Sequence, residues 1–182
     1  MTDIPETSYR DHEQTASDAS GIGFAVITLS DTRTPETDKS GQLIKQLIEE
    51  AGHRTEFYEL VPDDPERILQ TLHEALEQER VQVIVTNGGT GIAHRDTVVE
   101  VVESLLENKL DGFGELFRAL SFEEIGAAAM LSRAIGGTVG RKVLFSLPGS
   151  SNAVRLGMTR LILPQAGHLV QELNKDLAGG SA

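Results

Sequence analysis

The sequence predicts an α/β fold of three layers, α/β/α, with helices on both faces of a mainly parallel central sheet. Three observations carry that expectation. Short β-branched runs alternate with helical patterns of ten or more residues, the order of βαβ units, because parallel strands need a long crossover. Apolar residues make up 39% of the 182 residues and charged residues 24%, the balance of a globular domain with a real core. Connections rich in Gly, Ser, Asp or Pro fall at the ends of predicted strands, where open parallel sheets bind ligands.

Residues 1–20 are polar with little to bury and read as a flexible N-terminal tail. Residues 21–178 read as a single domain. "GFAVITLS" (residues 23–30) is long enough for one buried strand. In "SGQLIKQLIEEAGH" the apolar residues Leu43, Ile44, Leu47, Ile48 and Ala51 recur at helical spacing. Ser40 is expected as N-cap there and Gly52 as C-cap. "TEFYELV" alternates and predicts a second strand. "DDPERILQTLHEALEQE" predicts a helix capped by Asp63 or Asp64, with Pro65 in its first turn. "VQVIVT" predicts a third strand, followed by a glycine loop and a helix from about residue 96 to 107. "DGFGELFRALSFEEIGAAAMLSRAI" reads as helical but broken by Gly112, Gly114 and Gly126. "RKVLFSLPGS" is a further strand, and "NAVRLGMTRLILPQAGHLVQEL" a helix restarted at Pro164.

Composition excludes several functions. The chain has no Cys, which removes disulfides, thiolate nucleophiles and Cys-based metal sites. Its net charge of −12 opposes a general nucleic-acid surface, since such binding neutralises phosphates with Lys and Arg. The same acidity is compatible with a high-salt cytoplasm and with many ordinary acidic proteins. No apolar run approaches a membrane span, and the first twenty residues lack a signal pattern, so a cytoplasmic location is expected, with no membrane partner.

The chemistry concentrates at the strand ends. "TNGGTG" matches neither the dinucleotide nor the P-loop pattern. Its glycines, Gly88, Gly89 and Gly91, with Thr90 between them, still allow close backbone approach and an amide cradle for an anion. Asp96 lies just beyond. Alone it reads as an N-cap or first-turn carboxylate; beside a phosphate cradle it reads as a Mg²⁺ ligand or an orienter of a phosphate nucleophile. Asp63 carries the same two readings. Together the two carboxylates favour metal-assisted phosphoryl-type transfer. "SLPGSSN" places Ser146, Gly149, Ser150 and Ser151 around a helix start, a second anion-binding candidate. "LSR" puts Ser132 beside Arg133, surface decoration on an ordinary helix and a phosphate holder near a crevice. The five His residues show no metal-ligand spacing. Phe113, Phe117 and Phe122 read as core first and subunit interface second.

Taken together, "SD…DKSG", "VPDD", "GGTG…RD", "LSRAIGG" and "LPGS" occur in one order, and on these motifs residues 23–173 resemble the molybdenum-cofactor biosynthesis family of MoaB and the Mog-type molybdopterin adenylyltransferases. "DGFGELFRALSFEEIG" looks more like the MoaB branch. The resemblance implies a molybdopterin-binding α/β domain that also binds Mg-ATP, transfers AMP to the terminal phosphate of molybdopterin and releases pyrophosphate. It implies nucleotide binding by Gly88, Gly89, Thr90 and Gly91. Asp96 is then the essential carboxylate at Mg²⁺, and Asp63 the second acidic position. Ser30, Ser40 and Ser132 fall near the pterin or its phosphate, and Pro148, Gly149 and Ser150 in a phosphate-binding loop. The resemblance further implies a homo-oligomer, trimer or hexamer, whose product passes to the molybdate-insertion enzyme. The alternative is a catalytically inactive molybdopterin-binding carrier or scaffold of the MoaB branch. Retention of both Asp63 and Asp96 favours the enzyme.

Overall fold

The computed structural model describes residues 21–94 and 96–178. The tail expected over residues 1–20 and the last four residues lie outside them. In chain order the elements are β1 (Gly23–Leu29), α1 (Lys39–Glu50), β2 (Arg54–Val61), α2 (Pro65–Glu77), β3 (Val83–Asn87) and α3 (Val98–Leu105). There follow β4 (Asn108–Lys109), α4 (Asp111–Ile125), a 3₁₀ turn (Gly126–Leu131), β5 (Ile135–Val139) and β6 (Lys142–Leu147). The chain closes with α5 (Ser151–Gly157), a π-helical segment (Met158–Ile162) and α6 (Leu163–Ala178).

The strands form one sheet in the order β2-β1-β3-β6-β5-β4. β2, β1, β3 and β6 pair in parallel, and β5 runs antiparallel between β6 and β4. Side chains alternate across the sheet as the strand pleat requires. On one face Phe24, Val26, Val83, Val85, Phe145 and Leu147 pack against α1, α4 and the α5–α6 segment. On the other, Ala25, Ile27, Ile84 and Leu144 pack against α2 and α3. Each buried Leu, Ile, Val or Phe side chain contributes about 1.5–3 kcal/mol, so the two cores hold the helices on opposite faces. This is the α/β layering that the alternating pattern predicts.

Three expectations are corrected. Ser40 does not cap α1: Asp38 does, its carboxylate accepting from the Gly41 amide, while Ser40 lies in the first turn and is buried. The segment 111–135 is not one broken helix. α4 runs through Gly112 and Gly114 unbroken, ends at Gly126 (φ +61°), and residues 135–139 form a strand. That strand was hidden by its own glycines. A Cβ on Gly136 would lie 2.5 Å from the Phe145 ring, so the missing side chain makes room for the Phe113–Phe145 ring contact at 4.7 Å between centroids. The helix expected from about residue 96 to 107 is present but shorter by two residues at each end, Val98–Leu105, after Thr97. The chain does resume regular α-helix beside Pro164, at Leu163, after the π segment.

Candidate functional site

Because β2, β1, β3 and β6 are parallel, their carboxyl ends share one edge, and the loops after them stand side by side. β5 is antiparallel, so its start comes to that same edge, with Ile135 paired to Ser146. This is how Ser132, distant in sequence, joins the other loops. A cleft of about 460 Å³ lies there. Its lining includes Ser30, Asp63, the loop residues Gly88, Gly89, Thr90 and Gly91, and Ser132. Pro148, Gly149 and Ser150 complete the wall from the β6 side. Asp96 and Ser40 are not on the lining.

The glycine loop is shaped by what it must fit between. Gly88 (φ +104°) donates its amide to the Leu147 carbonyl at 3.0 Å, and a Cβ on it would sit 2.3 Å from the Leu29 carbonyl oxygen. It is therefore wedged between the ends of β1 and β6. Gly89 (φ +60°) lies against Asp63: a Cβ there would meet Oδ1 at 2.4 Å. A Cβ on Gly91 would meet Oδ2 of Asp96, also at 2.4 Å. The two carboxylates thus flank the loop, each occupying space that any larger residue would take.

Neither acid is a helix cap. Asp64 caps α2, accepting from the Arg67 amide at 2.9 Å, while the Asp63 amide donates to Asp31 Oδ1 at 3.0 Å. Thr97 occupies the cap position of α3. Asp96 Oδ2 accepts from the Ala93 amide at 2.9 Å and the Asp96 amide donates to the Ala93 carbonyl at 2.9 Å, a reciprocal turn contact between these two residues. Among the described residues, no group of three or more His, Cys, Asp or Glu side chains is arranged to enclose a metal ion. A pair of carboxylates is the protein share expected for Mg²⁺, which takes its other oxygens from ligand phosphates and water.

Several hydroxyls already have local work. Ser30 Oγ accepts from the Thr32 and Arg33 amides, at 3.3 and 3.2 Å. Ser150 Oγ caps α5, accepting from the Ala153 amide at 3.2 Å. Ser132 Oγ is buried with no hydrogen-bond partner. Ser40 lies under the cleft, donating to Asn87 Oδ1 at 2.6 Å. Arg133 does not offer its guanidinium to the cleft. It donates to the carbonyls of Thr90 (3.2 Å) and Asp96 (2.6 Å) and pairs with Glu100, so it clamps the glycine loop to α3.

Sequence reasoning missed Arg33, which lines the cleft. It donates to Ser40 Oγ at 2.5 Å and to the Gly149 carbonyl at 3.0 Å, and stands 3.4 Å from Asp38 Oδ1. Its position in the polar stretch "SDTRTPETDKSG" resembles a solvated loop, and only the fold reveals its partners. Asp38 is fully buried. Burial pushes its carboxyl up, but hydrogen bonds from Thr28, the Gly41 amide, Tyr58 and Ser40 outweigh that and hold it below the ordinary range. The Tyr58 hydroxyl is pushed upward by burial and by its hydrogen bond to that anion. Nothing in the spacing of these residues announces the network, because it joins β1, β2, β3 and α1.

Residues 25–168 match the family described as "Probable molybdopterin binding domain". The chain is 58% identical over 151 residues to "Molybdenum cofactor biosynthesis protein B" of Bacillus cereus, covering 82% of this chain and 89% of that one. It is 45% identical over 170 residues to the protein of that name in Bacillus subtilis, covering 93% and 99%. Among solved structures, "tungsten cofactor synthesizing protein MoaB" from Pyrococcus furiosus superposes with a TM-score of 0.76 at 39% identity, over 84% of this chain and 97% of that one. The glycine loop, its two flanking acids and the β6 loop therefore lie in a chain that belongs to the MoaB family of molybdenum cofactor biosynthesis proteins.

Proposed function

We propose that the protein binds molybdopterin and Mg-ATP and transfers AMP to the terminal phosphate of molybdopterin, releasing pyrophosphate. The observation that carries this reading is the packing of both Asp63 and Asp96 against one glycine loop, at Gly89 and Gly91. Backbone amides for phosphates and carboxylates for their counter-cation then occur in one place.

In the reaction a phosphate oxygen of molybdopterin attacks the α-phosphorus of ATP. A new P–O bond forms, the bond from that phosphorus to the oxygen bridging to the β-phosphate breaks, and pyrophosphate leaves with the electron pair. Both reactants are anions, so the protein's task is orientation and charge neutralisation, with no covalent intermediate. Gly88, Gly89, Thr90 and Gly91 hold the nucleotide phosphates. Ser30, Ser132 and the loop of Pro148, Gly149 and Ser150 face the pterin side. Mg²⁺, when bound, neutralises the phosphate chain, and Asp96 with Asp63 would hold it. Arg133 keeps Thr90 and Asp96 in register. Ser40, bonded to Arg33 and Asn87, acts near the pterin phosphate through Arg33 and supports the loops.

The protein works as a homo-oligomer, trimer or hexamer, in the cytoplasm, and hands its product to the molybdate-insertion enzyme. Among the described residues no helix is long and apolar enough to cross a membrane. The deciding experiment is incubation with molybdopterin and Mg-ATP. Adenylylated pterin and pyrophosphate in equal amounts are expected; pterin binding without pyrophosphate release would make the protein a carrier instead.

A further inference from the structure

Arg33 is, among the described residues, the only Lys or Arg on the cleft lining. On a chain of net charge −12, a site for two anions needs such a cation. Its guanidinium reaches from the loop after β1 to the loop after β6, where Nη2 donates to the Gly149 carbonyl. A Cβ on Gly149 would lie 3.1 Å from Gly88 Cα and 3.7 Å from that same Nη2. The guanidinium therefore sits where the two phosphate-holding loops meet. Its side chain is 32% exposed. Three of its partners are protein oxygens, and a guanidinium carries five N–H groups, so donors remain for an oxyanion.

What aims it is buried. Asp38 Oδ1 accepts from the Gly41 amide at 3.0 Å and lies 3.2 Å from Ser40 Oγ, and Oδ2 accepts from the Tyr58 hydroxyl at 2.8 Å. Asn87, at the end of β3, receives the Ser40 hydroxyl and donates to Thr28 Oγ1 at 2.9 Å. A carboxylate so fully supplied with donors stays anionic and fixed, and the Ser40 oxygen shares Nη1 with it.

We infer that Arg33 binds a substrate phosphate at the junction of the Gly88 and Gly149 loops, and that Asp38, seated by Tyr58, positions its guanidinium. This rests on the reading of the cleft as a site for phosphate substrates and names a residue of it. The phosphate belongs either to the ATP chain or to the pterin, and the two are separable.

The test measures Kd for Mg-ATP and for molybdopterin separately by calorimetry, on the wild type and on Arg33→Ala, Arg33→Lys and Asp38→Asn. Arg33→Ala is expected to weaken one of the two ligands roughly tenfold to a hundredfold, the loss of one or two charge-assisted hydrogen bonds. The ligand affected identifies the phosphate. Arg33→Lys should recover part of the loss, since it keeps the charge and loses the planar fork. Asp38→Asn should weaken the same ligand, and the double variant Arg33→Ala/Asp38→Asn should be no weaker than Arg33→Ala alone, because the two act as one unit. Additive losses would make Asp38 merely structural and overturn its positioning role. Should Asp38→Asn not fold, Tyr58→Phe removes one donor from an intact carboxylate and must show the same non-additivity. Unchanged Kd values for both ligands in Arg33→Ala would overturn the inference while leaving the proposed reaction standing. A wild type that binds neither ligand would instead remove the functional reading itself.

Discussion

At the scale of single residues, the site depends on atoms that are absent. Gly89 combines a left-handed backbone with a carboxylate in the space of its missing Cβ. Gly89→Ala should cost about 1–2 kcal/mol from the backbone alone, and should also push Asp63 out of place. The expected outcome is a modest fall in the urea midpoint with a much larger fall in AMP transfer. A variant that loses only stability would detach Asp63 from the chemistry. Asp96 allows a cleaner separation. In Asp96→Asn the side-chain oxygen still accepts the Ala93 amide, so the turn survives while the charge is lost. AMP transfer should fall about a hundredfold or more, the scale of removing one electrostatic stabiliser of a transition state, with thermal stability nearly unchanged. Near-normal turnover would return Asp96 to the role of turn former.

At the scale of elements, α1 shows how a cap and a site can share one carboxylate. Asp38 both caps α1 and anchors Arg33. Its carboxyl is held below the ordinary value in the folded protein, so folding favours the anion. The stabilisation is present above about pH 4, the unfolded value, and is lost as pH falls through the lower folded value. The stability gap between wild type and Asp38→Asn, followed by urea unfolding, should be constant from about pH 7 to 5 and close below about pH 4. A gap that persists into strong acid would mean that the network does not depend on the charge. The hairpin of β5 and β6 does a different job. Its antiparallel strand returns the chain to the ligand edge, and Arg133, just before β5, reaches back to Thr90 and Asp96.

At the scale of the whole molecule, the three candidate phenylalanines divide. Phe113 and Phe117 enter the core, whereas Phe122 is 62% exposed. Phe122, Ile125, Met130 and Leu131 lie along the end of α4 and the 3₁₀ turn that follows, and Ile125 and Leu131 also border the cleft. For the proposed trimer or hexamer this is the surface with the most to gain from burial. Phe122→Asp should lower the molar mass measured by light scattering towards that of a single chain. An unchanged mass would place the subunit contact elsewhere.

Periodicity in the sequence was enough to determine the alternating strands and helices, the three layers, and the edge at which loops 30–31, 62–63, 88–91 and 148–150 gather. Hydrophobic spacing is a local property, and parallel pairing follows from the length of the connections. The places of Gly88, Gly89 and Asp63 were also legible, because each lies within two residues of a strand's end. Tertiary structure alone decided the rest. β5 could not be read, since Gly136 answers to the ring of Phe145 and Gly137 to Asn108 and Leu106, and not to any neighbour in sequence. Ser40 looked like a cap and Arg133 like a phosphate holder until their partners, Asn87 and the Thr90 and Asp96 carbonyls, came into reach. Arg33 lay in a polar stretch that resembles a solvated loop, and Asp38 was only one letter of a motif. They became a half-buried ion pair only because folding brings β1, β2, β3 and the β6 loop together, and hydrogen-bond partners drawn from four segments leave no periodic trace in one chain.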